Sequence, residues 1–166
     1  MNARMKESLR AAGFMGGLSL VLIASVAALH LATAERVGRN ADLFLQRAVL
    51  EAAGLALPGT PAAAAALFRE TVTAEPADAP ERFYVRDAAD GALRAVVFKR
   101  RGRGLWGTID AVVAYDPAAR VFGEIRFLEH NETPGLGARI EEPWFQRQTA
   151  GKTGPFVLRP DGTGSD

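Results

Sequence analysis

The stretch from Ala11 to Ala34, AAGFMGGLSLVLIASVAALHLATA, constrains this chain most, because twenty-four residues pass without Asp, Glu, Lys or Arg. As a helix it is long enough to cross the hydrocarbon core of a bilayer. Gly13, Gly16 and Gly17 would weaken a helix in water but are tolerated in membrane helices, where small residues permit close contacts. Arg4, Lys6 and Arg10 precede the stretch against Glu7 alone. The positive-inside rule then leaves residues 1–10 in the cytoplasm and everything after about Glu35 outside, which for a bacterial inner membrane with a single pass is the periplasm. A signal peptide has the same layout, and Ala32-Thr33-Ala34 offers an A-x-A-like cleavage site. The length of the run favours a retained anchor, and either reading exports the remainder.

Beyond the 11–34 segment, residues 35–80 read as a helical connector. Val37, Leu43, Phe44, Leu45, Ala48, Val49, Leu50 and Ala52 recur with helical spacing until Gly54 and Pro58-Gly59 stop them. Pro61 opens a second short helical stretch through Phe68. From residue 81 to 166 the texture changes. Phe83 and Val85 alternate with Tyr84 and Arg86, Asp90-Gly91 supplies a turn, and Leu93 to Lys99 predicts the returning strand of a hairpin. Thr108 to Tyr115 and Val121 to Leu128 are further strands around an Asp116-Pro117 turn. Consecutive strands without long intervening helices predict an α+β fold with an antiparallel sheet.

The 166 residues contain no cysteine, which removes disulfides, thiolate metal ligation and cysteine nucleophiles. Two histidines, His30 and His130, stand far apart, so no zinc-ligand spacing exists and no metal site is expected. Twenty basic against nineteen acidic residues give a net charge of +1, without the broad cationic field that nucleic acid requires. A redox role would need an organic cofactor.

Two motifs match only in letters. Gly102-Arg103-Gly104-Leu105-Trp106-Gly107 fits G-x-G-x-x-G, but its use requires a helix to start there, and Ile109, Val112, Val113 and Tyr115 read as a strand. Ala150-Gly151-Lys152-Thr153 resembles the end of a P-loop, yet the first glycine of that motif would fall on Gln146.

The segment His130 to Arg139, HNETPGLGAR, places a carboxylate and a hydroxyl beside a kinked backbone. Pro134 disfavours helical geometry at Thr133, while Gly135 and Gly137 allow positive dihedrals or close approach by another group. Local physics permits two outcomes: a ligand loop that fixes Glu132 and Thr133, or a plain turn ending the preceding strand with Glu132 in solvent.

Gly104-Leu105-Trp106-Gly107, the strand end Phe127-Leu128-Glu129-His130, the motif Glu132-Thr133-Pro134-Gly135-Leu136-Gly137 and the segment Phe145-Gln146-x-Gln148-x-Ala150-Gly151-Lys152 resemble, in order and spacing, the FMN-binding subunits of Rnf electron-transport complexes and sodium-translocating NADH:quinone reductases. The resemblance implies a membrane-anchored FMN-binding domain that carries electrons within a multisubunit, ion-translocating oxidoreductase, an electron carrier rather than a stand-alone enzyme. It implies cofactor-binding positions at Glu132, Thr133, Pro134, Gly135, Leu136, Gly137 and Trp106. In that family FMN is attached through its phosphate to a threonine in S/T-G-A-T. No such sequence occurs here, and Thr149, Thr153 and Thr163 have other neighbours. The expectation is therefore a domain incomplete at its C-terminus, without covalent FMN, retaining a noncovalent part of the site. The alternative is a structural or assembly subunit that lacks flavin.

Overall fold

The computed structural model describes residues 3–156 apart from 77, 78 and 80; Thr163 lies outside the described residues. Two compact units divide the chain, Met1–Asp42 and Leu43–Asp166. Helix α1 runs from Ala3 to Ala52. In the first unit its large side chains, among them Phe14, Leu20, Ile23 and Leu31, are exposed. Its charge-free stretch reaches a mean hydropathy of 2.1, long and apolar enough to cross a membrane. Apolar surface on every side of a helix is unfavourable in water and matches lipid.

The second unit begins with the last turns of α1, where Ala48, Val49, Leu50 and Ala52 are buried. Gly54, at φ 70°, ends the helix. No basic residue lies in its last turn. Arg94 supplies the missing cation from the sheet, donating from Nε to the Ala53 carbonyl at 3.1 Å and from a terminal nitrogen to the Gly54 carbonyl at 3.3 Å. Carbonyls that a helix leaves unpaired at its C-terminus thus gain a charged donor. Helix α2, Pro61–Thr71, starts with Pro61 in its first turn and with the Thr60 hydroxyl accepting from the Ala63 N–H at 3.2 Å.

Among the described residues five strands follow: β1 Val72–Glu75, β2 Arg82–Arg86, β3 Leu93–Arg103, β4 Thr108–Asp116 and β5 Val121–Glu129. They form one antiparallel sheet in sequence order. The register places Phe83 opposite Val97 and Val97 opposite Ala114, a row of apolar side chains across three strands. Together with Val85, Ala95 and Val112 they join Ala48, Val49, Ala52 and Ala53 in one core. Phe68 of α2 meets Phe83 edge-on, with ring centroids 6.2 Å apart. Each fully buried side chain of this kind contributes about 1.5–3 kcal/mol. On β5, a Cβ at Gly123 would stand 2.8 Å from the Ala52 carbonyl, so glycine permits the helix end and the sheet to approach.

The long apolar helix and antiparallel sheet agree with the α+β expectation. Strand β1 is an addition, lying inside the segment expected as helical connector. Its four residues follow α2 with no glycine or proline between them. Strand β3 extends four residues past Lys99, through Arg103. Register with Asp110, Ile109 and Thr108 holds this charged extension as strand, in the absence of any apolar alternation.

Candidate functional site

Two loops meet at one end of the sheet. The first, residues 104–107, joins β3 to β4 and is closed by a 2.7 Å hydrogen bond from the Gly104 N–H to the Gly107 carbonyl. A strand, β4, follows it rather than a helix, so its glycines do not form the helix entry that a dinucleotide fingerprint needs. The second loop leaves β5 at Glu129 and passes through residues 130–136 into a 3-10 helix at Gly137–Glu141.

Glu132 joins the two. The residue is 9% exposed. Oε1 accepts the backbone N–H groups of Leu105 at 2.8 Å and Trp106 at 3.2 Å. The Glu132 N–H in turn donates to Nδ1 of His130 at 3.2 Å. The other ring nitrogen of His130 lies 3.1 Å from Glu141.

Thr133, Pro134, Gly135 and Leu136 are exposed. The Thr133 carbonyl accepts from the N–H groups of both Leu136 and Ala138 at 3.1 Å, which closes the turn. Gly135 adopts φ 76°, where a Cβ would be strained. Gly137 instead provides space, because a Cβ there would overlap Oε2 of Glu132. One at Gly104 would overlap Oε1. Of the two uses that the sequence allows for these glycines, Gly135 takes the dihedral and Gly137 the close approach.

The clasped loops present large apolar side chains to the outside: Leu105 is 80% exposed, Trp106 67% and Leu136 72%. Unpaired apolar groups on a pair of fixed loops suit the face of a planar aromatic ligand better than they suit water. Of the first loop the sequence names Trp106 as a binding position, and Leu105, its neighbour within Gly104 to Gly107, is exposed beside it. Two clefts of about 810 and 450 Å³ lie elsewhere in this unit, and none of the loop residues lines either of them. The segment resembling a P-loop runs along β5: Thr149 donates its hydroxyl to the Gly123 carbonyl at 2.6 Å, and the backbones of Gly151 and Lys152 bond to Phe122.

Beside the first loop, Arg101 pairs with the buried Asp110 through two hydrogen bonds of 2.6 and 2.7 Å. The Arg101 guanidinium holds the Asp110 carboxyl below its ordinary range. At the far end of the second loop, the Trp144 indole N–H and then Arg139 do the same for Glu142.

These loops fall in a recognised sequence class: residues 104–162 match the FMN-binding domain family. The C subunit of the Na⁺-translocating NADH-quinone reductase from Neisseria meningitidis serogroup A is 33% identical over 69 residues, covering 42% of this chain and 27% of that protein. Its Yersinia pestis counterpart is 39% identical over 62 residues, 37% of this chain and 23% of that protein. The chain thus spans about a quarter of the length of these relatives. The crystal structure of Shewanella oneidensis NqrC superposes with a TM-score of 0.56 at 25% identity, covering 65% of this chain and 68% of that one. In sequence and in fold the chain is thus similar to NqrC, and the similarity in sequence lies in the stretch that matches the FMN-binding domain.

Proposed function

We propose that this chain is a flavoprotein electron-carrier subunit of a membrane ion-translocating oxidoreductase, with FMN against residues 104–107 and 132–137. The observation that carries the proposal is the exposed set Leu105, Trp106 and Leu136 on two loops clasped through Glu132, inside the stretch that matches the FMN-binding domain. These residues fit the ring of FMN by chemistry: a large apolar aromatic surface with no competing charge on those three side chains. When bound, FMN supplies reversible electron transfer that no side chain of this cysteine-free protein offers.

In this reading Trp106, Leu105 and Leu136 bind the ring and exclude water from it. Thr133, exposed at the turn, offers a hydroxyl to the ligand, while Pro134, Gly135 and Gly137 set the turn's course. The 166 residues contain no S/T-G-A-T, so the site proposed within them is the noncovalent contact with the flavin. Helix α1 anchors it in the bacterial inner membrane, with the sheet domain in the periplasm, as the basic residues Arg4, Lys6 and Arg10 before the apolar stretch support. Its partners are the other subunits of the oxidoreductase.

A second reading is a membrane-anchored structural or assembly subunit without flavin. Flavin fluorescence of the detergent-purified chain, before and after denaturing electrophoresis and paired with intact mass, separates the two. The proposal expects FMN that is bound in the native state and lost on denaturation. No saturable FMN binding by the native chain would favour the structural subunit.

A further inference from the structure

We propose that Glu132 is a positioning residue, whose carboxylate fixes the Leu105–Trp106 segment against the 133–137 turn and so shapes the apolar surface offered to the flavin ring without touching the ring. The ligand in this inference rests on the FMN reading; the clasp itself does not.

Burial of Glu132 comes without a cation: among the described residues its side chain has no ion-pair partner, and its polar partners there are the two backbone N–H groups. A buried acceptor must be satisfied, and backbone donors 26 and 27 residues away satisfy this one. Those donors belong to a loop whose side chains are exposed and so gains little hold from packing. The carboxylate thereby replaces the packing that the loop lacks.

The glycines on either side make the arrangement specific. A Cβ at Gly104 would clash with Oε1 and, at 2.9 Å, with Ile109, and one at Gly137 would clash with Oε2 and, at 2.9 Å, with the Glu132 Cβ. Each loop therefore contributes a glycine that makes room for the carboxylate, and one loop contributes the carboxylate. Three separated positions, 104, 132 and 137, form one device whose output is the placement of Trp106.

Both hydrogen bonds end on Oε1. Glutamine retains that oxygen and can keep both bonds, aspartate is a methylene too short, and alanine removes the acceptor. This gives a substitution series that separates shape from charge.

The experiment uses the full chain in detergent with Trp144→Phe, which leaves Trp106 as the one indole of the two in the sequence. Amide exchange at residues 105 and 106 and Trp106 emission are measured without flavin; FMN affinity is then read from Trp106 quenching. Glu132→Ala is expected to speed exchange at both amides by at least about tenfold, to shift Trp106 emission and to weaken FMN binding by at least about tenfold, while sheet amides stay protected. Glu132→Gln is expected to stay within about threefold of the parent in each measurement. Gly137→Ala, which crowds the carboxylate, should behave as Glu132→Ala does and serves if the alanine variant fails to fold.

Parent-like exchange and emission in Glu132→Ala and Gly137→Ala would overturn the clasp. Faster exchange with parent-like FMN affinity would overturn the positioning role. So would a glutamine variant with native exchange but alanine-like affinity, because the negative charge would then act on the flavin directly. If the parent binds no FMN, the flavin reading fails, and the exchange data alone still decide the clasp.

Discussion

Arg101 and Asp110 face each other across β3 and β4 as register partners and close two hydrogen bonds, from Nε to Oδ1 and from a terminal nitrogen to Oδ2. The carboxylate is buried while the guanidinium remains mostly in solvent. Arg101 thus neutralises a charge that the hairpin would otherwise leave unpaired just before the Gly104 loop. The hydrogen bond from Arg101 lowers the carboxyl's pKa from an ordinary 3.8. The folded protein takes up this proton less readily than the unfolded chain does. Its stabilising contribution is therefore complete above 3.8 and fades as pH falls through the lower folded value. Asp110→Asn should lower the melting temperature by about 2–4 °C near neutral pH, and the gap to the parent should narrow in strong acid. A gap that stays constant with pH would remove the ion pair as its cause.

Core packing makes a separate prediction. Phe83 is fully buried between the sheet and α2, touching Phe68 edge-on. Phe83→Ala should cost about 3–5 kcal/mol, because the cavity adds to the lost transfer energy. Denaturant unfolding of the detergent-purified chain, followed by far-ultraviolet circular dichroism, measures this against the parent.

Ligand affinity should separate from stability at the exposed apolar residues. Trp106→Ala and Leu136→Ser remove surface that is largely exposed in the folded chain, so each should leave the melting temperature within about 2 °C. Each should weaken FMN binding by about tenfold or more, an effect read by flavin fluorescence anisotropy. Unchanged affinity in both variants would place the flavin elsewhere.

Membrane anchoring is tested in α1. Ile23 lies in the middle of the charge-free stretch and is exposed. Ile23→Arg places a charge near the bilayer centre at a cost of about 2.5–3.5 kcal/mol on insertion scales. The variant should shift from the carbonate-resistant membrane fraction towards the soluble or degraded fraction, as immunoblotting of fractionated cells would reveal.

Much of this arrangement is written locally in the sequence. Phe83 and Val85 alternate with polar neighbours, Asp90-Gly91 turns the chain, and Val112 and Ala114 bury alternate positions, so β2, the first part of β3 and β4 follow from period-two patterning, while β5 shows none and is marked by its β-branched and aromatic residues. Strand β1 has no such mark: Val72 both caps α2, with its N–H on the Phe68 carbonyl, and begins the strand. The turn at Thr133 to Gly137 is equally local, since proline and glycine dictate it. Glu132 is different. Its role depends on donors at Leu105 and Trp106, and only the register of β3, β4 and β5 brings those within reach. The same long-range dependence hides the purpose of Gly104 and Gly137, each of which makes room for a side chain that is not its neighbour in sequence.

Arg94 gives the helix end a mechanical role. Its guanidinium bonds to the carbonyls of Ala53 and Gly54 and, at 3.1 Å, to Asp87, while its backbone belongs to β3, the middle strand of the five. A pull on the chain at residue 53 is therefore carried directly into the centre of the sheet as well as along the loop of residues 55–60. One side chain acts as a tie-rod, and cutting it would let the helix end and the sheet respond to load separately.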